Sequence, residues 1–184
     1  MQQYEIDKTA KNQPKTLYLL RHAKSAWDNP NLSDFDRPLN KRGKENLPGL
    51  ANIAAILNPQ PELIVTSSSR RTLDTLNGFC RGMLTQFKIE EADELYHASK
   101  EEILSIIQKV PEKIQSLLIV GHNPGLEEFI SWILMGSKVS NPLKMTTCSL
   151  VQLVSNISLW SELEPQTSTL QLMIPGRFIS KLSK

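Results

Sequence analysis

Three short apolar runs, each closed by a polar signature, constrain this chain more than any other feature. They are TLYLLR at 16–21, ELIVT at 62–66 and SLLIV at 116–120. Each is bounded and lacks alternation, the pattern of a strand buried on both faces. Segments with helical spacing lie between them. Leu47, Leu50, Ile53, Ala54 and Leu57 mark a helix over 41–57, where Pro48 must kink the helix or open a second segment. Leu73, Leu76, Phe79, Cys80, Met83, Leu84 and Phe87 form one stripe of a helix over 71–87, weakened by Gly78 and Gly82. Ser99 and Glu102 make a capping box for a helix running to residue 110. Asn123 is the expected cap of a helix that has Pro124 at N1 and runs to 135. A short strand at 88–92, two late strands at 149–155 and 169–175, and a turn over 158–166 complete the pattern. Strands alternating with helices predict an α/β fold: a three-layer α/β/α sandwich around a mostly parallel central sheet.

No repeat, low-complexity tract or Gly/Ser linker divides the 184 residues. The expectation is a polar tail over 1–15, followed by a single domain over 16–184. Hydrophobic residues are 40% and charged residues 22%, which excludes a disordered or collagen-like chain. With 21 Lys+Arg against 19 Asp+Glu the net charge is +2, far from the basic excess of a nucleic-acid-binding domain. Cys80 and Cys148 form no CxxC pattern, so neither zinc nor a redox dithiol is implied. No apolar run approaches the roughly 20 residues that span a bilayer. The first residues lack the apolar stretch of a secretory signal, so a cytoplasmic protein is the default expectation.

The chemistry sits where the strong strands stop. The first ends in Arg21-His22, the second in Thr66-Ser67-Ser68-Ser69-Arg70-Arg71, the third in Gly121-His122-Asn123-Pro124. Ligands of open parallel sheets bind beyond the carboxyl ends of the strands, so the three clusters are expected to converge. Arginine presents a fork of N–H donors matched to phosphate or carboxylate oxygens. A histidine beside it is a nucleophile if one ring nitrogen is unprotonated, and a second, cationic histidine adds another donor. Two histidines among arginines suit a dianionic phosphoryl group. A cation at a helix N-terminus opposes the helix dipole, which favours a ligand role for Arg71 over a structural one. Arg70 reads as a surface residue, Asp34 and Asp36 as loop residues that pair with Arg37 or cap a turn, and Cys80 and Trp132 as core. Trp27, in the loop after His22, would border the mouth of the site.

These motifs resemble the histidine phosphatase (phosphoglycerate mutase-like) superfamily. Leu19-Leu20-Arg21-His22-Ala23-Lys24-Ser25 is similar to its Arg-His signature, and Asp34-Phe35-Asp36-Arg37-Pro38-Leu39-Asn40-Lys41-Arg42-Gly43 to its next segment. Ser67 to Thr75 fits its S-x-x-x-R-[AT]-x-x-T pattern, and Val120-Gly121-His122-Asn123-Pro124-Gly125 its second-histidine motif. The wording is most similar to the SixA branch, the phosphohistidine phosphatases. The resemblance implies that His22 attacks phosphorus and carries a transient phosphoryl group. It implies that Arg21, Arg71 and His122 hold the phosphoryl oxygens, with Arg37 a further ligand. It implies no metal and no organic cofactor. The expected partner is a phosphorylated protein, with a small phosphorylated molecule or a non-catalytic phosphate-binding role as alternatives; no nucleic acid and no membrane are implied.

One departure stands out. Larger members of the superfamily place a carboxylate after the third strand to protonate the leaving oxygen. Here the stretch reads Glu94-Leu95-Tyr96-His97, so His97 stands at the expected acid position and Glu94 lies across Leu95. A well-placed acid contributes roughly 10²–10⁴-fold. An imidazole leaving group needs that help less than an alkoxide does, so the departure fits P–N cleavage better than P–O cleavage.

Overall fold

The alternation of apolar runs and helical stripes becomes a six-stranded sheet in the computed structural model, which describes residues 14–136 and 143–183. The strands are β1 (Lys15–Arg21), β2 (Leu63–Thr66), β3 (Lys88–Glu91), β4 (Ser116–Gly121), β5 (Leu150–Ser155) and β6 (Ser168–Ile174). Their spatial order is β3-β2-β4-β1-β5-β6. The first four run parallel, while β5 is antiparallel to β1 and β6 to β5. The helices are α1 (Lys41–Glu45), α2 (Leu47–Ile56), α3 (Arg70–Cys80), α4 (Lys100–Gln108), α5 (Gly125–Met135) and α6 (Gly176–Ile179).

Strand side chains alternate between the two faces of a sheet. Leu17 and Leu19 of β1 therefore join Leu117 and Ile119 of β4 in one core, with Ile103 and Ile107 of α4 and Phe129 and Ile130 of α5. Tyr18, Leu20, Leu118 and Val120 face the opposite core, with Leu50 and Ile53 of α2, Leu76 and Phe79 of α3, and Ile179 of α6. Two cores with one sheet between them make the α/β/α sandwich.

Local differences from the sequence reading have physical causes. Residue 15 belongs to β1 rather than to a tail. The Lys15 ammonium is buried and donates to the carbonyls of Glu112 at 2.6 Å and Ile114 at 3.0 Å. Residues 1–13, the rest of the expected tail, lie outside the described residues. Pro48 divides the expected long helix, with α1 ending at Glu45 and the proline in the first turn of α2. The helix expected over 71–87 stops at Cys80; Met83 and Phe87 still pack on the core, whereas Leu84 is exposed. Asn123 does not cap α5. Pro124 follows a cis peptide bond and takes the N-cap position, and the Asn123 amide instead donates to the Met145 carbonyl at 3.0 Å. The Ser99–Glu102 capping box forms as expected.

Candidate active site

The register of the parallel strands levels the three polar clusters. Arg21 of β1 pairs with Gly121 of β4, and Thr66 of β2 with Val120. The residues that follow each strand then meet on the C-terminal edge of the sheet. His22 and His122 come together there with ring centroids 5.0 Å apart. A cavity of about 220 Å³ opens over His22, lined also by Arg21, Trp27, Arg37, Arg71 and His97 among others, while His122 lies behind the lining, against Arg71.

The hydrogen bonds assign the histidine protons. His22 Nδ1 lies 2.8 Å from the Ala23 carbonyl oxygen, which can only accept, so Nδ1 carries the proton and Nε2 keeps its lone pair. Burial pushes the His22 pKa down to about 4; the Ala23 contact opposes this, and the charges of Arg71, Arg21 and Arg37 add to it. The ring is neutral at pH 7. His122 has the other tautomer. Arg71 Nη2 donates to its Nδ1 at 3.3 Å, and its Nε2 donates to Ser67 Oγ at 3.1 Å, with Ser69 Oγ at 3.4 Å. Burial, His22 and Arg71 hold its pKa well below the usual range.

The guanidiniums are fixed from behind. Arg21 donates through Nη1 to the Met145 carbonyl, the same oxygen that receives the Asn123 amide. Met145 is itself held by its N–H, which donates to Glu127 Oε1 at 2.7 Å. Arg71 gives Nη1 to the Asp34 carbonyl at 2.5 Å and Nη2 to Asp34 Oδ2 at 3.0 Å. Arg37 pairs with Asp34 Oδ1 and donates to the Ala26 carbonyl at 3.3 Å. Arg21 Nε and Arg37 Nε are buried without a hydrogen-bond partner. Such donors are costly to leave unmet, and an oxyanion in this cavity is the chemistry that suits them.

Asp34 forms the pairing with Arg37 expected of a loop aspartate, and it is also a hub that the sequence does not reveal. Besides both arginines it accepts from the Tyr96 hydroxyl at 2.7 Å. Burial alone would raise its pKa; the Tyr96 hydrogen bond and the charges of Arg71 and Arg37 outweigh it and bring the carboxyl to about 2. Tyr96 was not singled out either. Its ring meets His122 edge-on at 5.5 Å and His97 at 4.1 Å. The only sequence signal for this hub is the i,i+3 spacing of Asp34 and Arg37. The partners contributed by α3 and by the segment after β3 are long-range and leave no local trace.

His97 and Glu94 part company. His97 lines the cavity with backbone φ of 57°, its Nε2 3.8 Å from Asp34 Oδ2. Positive φ is uncommon for a residue with a side chain and clusters at functional sites. Glu94 faces a separate groove of about 410 Å³ with Glu90, Glu102 and Lys109, which contains none of the histidines. Arg70 is exposed and pairs with Asp74 at 2.9 Å, as a surface residue does. Among the described residues no cluster of three or more His, Cys, Asp or Glu side chains could hold a metal ion, and no helix is long and apolar enough to cross a membrane.

Comparisons with known proteins agree with this geometry. The profile of the histidine phosphatase superfamily (branch 1) matches residues 17–116. An uncharacterised chloroplast protein of Arabidopsis thaliana is 33% identical over 161 residues, 80% of this chain and 70% of its own length. Among solved structures, a candidate SixA phosphohistidine phosphatase of Agrobacterium tumefaciens aligns with a TM-score of 0.72 at 31% identity, over 88% of this chain and 98% of the other. The protein histidine phosphatase SixA in complex with tungstate shares the fold, with a TM-score of 0.73 at 19% identity over 89% of this chain and 99% of the other. The chain belongs to the histidine phosphatase superfamily, branch 1.

Proposed function

We propose that this protein is a phosphohistidine phosphatase that removes the phosphoryl group from histidine on a protein. The observation that carries the reading is the His22 tautomer: Nδ1 is tied to the Ala23 carbonyl, and the free Nε2 lies among three arginines. In the first step the Nε2 lone pair forms a bond to phosphorus. The bond from phosphorus to the substrate imidazole breaks, and that imidazole leaves with the electron pair and takes up a proton from water at the exposed mouth of the cavity. Arg21, Arg71 and Arg37 hold the phosphoryl oxygens and stabilise the charge that develops on them. His122 Nδ1 accepts from Arg71 Nη2 and so holds that guanidinium towards the phosphoryl group. In the second step water attacks phospho-His22, releasing inorganic phosphate and returning His22 to its starting form. Side chains and water carry both steps.

Two exposed side chains, Trp27 and His97, line the cavity, which fits a histidine presented on a protein surface. A small phosphomonoester is the second reading, and His97 is the observation that favours it, since an imidazole paired with Asp34 at the mouth can protonate an alkoxide.

A turnover assay tests both. A phosphohistidine peptide and an aryl phosphate are compared, each with the wild type and His22→Ala. We expect P–N cleavage to dominate and to fall at least ~10³-fold in the folded variant. Retained activity in His22→Ala would remove the covalent route. Faster cleavage of the ester would favour the second reading.

A further inference from the structure

Trp27 is 72% exposed beside a buried nucleophile. Its loop is not loose. Ala26 N–H donates to the Pro38 carbonyl at 2.8 Å, Ser25 bridges Leu39 in an antiparallel pairing, and Arg37 Nη1 donates to the Ala26 carbonyl. The Arg37 guanidinium carbon lies 3.3 Å from the centroid of the Trp27 ring, so one face of the indole is stacked on a cation that is itself 7% exposed. The exposure of the ring leaves its other face to solvent. Trp27 and His22 line the same cavity.

In-line displacement places the leaving group opposite the nucleophile. His22 forms the floor at 8% exposure, so the leaving group must point outward, past the rim where Trp27 stands. An aromatic ring fixed on one face and open on the other is a stacking platform for a second flat ring. Resting on the phosphatase reading above, we infer that Trp27 is a specificity-determining residue that selects planar, aromatic leaving groups, the imidazole of phosphohistidine first among them. The guanidinium beneath the indole keeps the platform in register with the phosphate pocket, because Arg37 belongs to both.

The stack ends when the ring departs, so it affects the first step alone. Hydrolysis of phospho-His22 is the same whatever the leaving group was. The experiment compares free phosphohistidine, which brings no partner protein surface, with phosphoramidate ion, whose leaving group is ammonia. The readout is the ratio of the two kcat/KM values in the wild type, Trp27→Ala, Trp27→Leu and Trp27→Phe. We expect the ratio to fall about five- to tenfold in the alanine and leucine variants and to be largely kept in the phenylalanine variant. The inhibition constant of inorganic phosphate should stay near the wild-type value, because the phosphate pocket is intact. Equal losses on both substrates or a weakened phosphate constant would overturn the platform and leave Trp27 as a prop for Arg37, and no loss on either substrate would overturn both roles. A wild-type protein that cleaves neither compound would overturn the phosphatase reading itself, before any variant is compared.

Discussion

Asp34 shows how much one side chain can decide at a site. Its carboxylate serves Arg37 and Arg71 at once and receives the Tyr96 hydroxyl, so it sets the spacing of two phosphate-facing guanidiniums. Asp34→Asn keeps the volume and removes the charge. Two effects then compete. Loss of a negative charge strengthens the pull on phosphate, though at a half-exposed position solvent screening keeps this small. Loss of the double ion pair lets both guanidiniums drift, and a misplacement of about 1 Å costs up to ~10²-fold. The second effect wins, so kcat/KM is expected to fall roughly 10–100-fold with weaker inhibition by inorganic phosphate, and Asp34→Glu should recover part of the loss. Steady-state kinetics with a phosphate titration checks this; tighter phosphate binding in Asp34→Asn would show that screening had been overestimated. A loop aspartate in a polar stretch gives no hint of this role, because three of its contacts come from Arg71 and Tyr96, 37 and 62 residues further along.

At the scale of elements, close backbone approach assembles the mouth. Gly125 opens α5 just after the His122 segment, and a Cβ there would lie 1.9 Å from the Ala98 carbonyl oxygen. That approach sets His122 against the segment holding His97, with rings 5.9 Å apart. Gly43 does the same for α1, where a Cβ would lie 2.2 Å from the Lys24 carbonyl oxygen on the loop after His22. Gly125→Ala forces backbone apart and is expected to cost about 1–3 kcal/mol, read as a lower urea midpoint at constant slope. An unchanged midpoint would mean that α5 can slide without loss. Helical patterning was legible for α2, α3 and α4. It overran at α3, since Met83 and Phe87 continue the apolar stripe after the helix has ended and still reach the core. Apolar periodicity reports burial, and a turn can deliver burial as well as a helix does.

The molecule as a whole should be acid-sensitive over a defined range. His22 has a folded pKa near 4 against an ordinary value of 6.5, so the unfolded chain binds the proton first as pH falls. Stability is then fully present above pH 6.5, declines as the pH drops, and stops declining on this account below about pH 4. His22 alone removes about 2 kcal/mol between pH 7 and pH 5. His122 is shifted in the same direction and adds to the loss. Asp34, lowered from 3.8 to about 2, stabilises in full above the ordinary carboxylate range, and its contribution is lost as pH falls from 3.8 to about 2. Thermal melts at pH 7 and pH 5 should show a smaller fall in midpoint for His22→Asn than for the wild type. An identical fall would mean that His22 is protonated in the folded state.

Much of the fold was legible before any coordinates. Apolar runs too uniform for a half-exposed sheet required strands covered on both faces, and parallel strands joined by helices placed Arg21, His22, Arg71 and His122 at one edge. Those four residues come from strand ends and a helix start, positions that local pattern and chain direction locate. Tertiary structure decided the rest. It chose which nitrogen of each histidine carries the proton, through contacts of His22 with a carbonyl and of His122 with Arg71. It drew Asp34 and Tyr96 into the arginine cluster, separated His97 from Glu94, and laid Trp27 over Arg37. The His22–Ala23 contact and the Trp27–Arg37 stack are close in sequence, yet the backbone conformation that makes them is set by the fold; the others depend on distances between segments remote in sequence. Periodicity encodes which face of an element is buried; it carries no information about which loop from another strand will close over it.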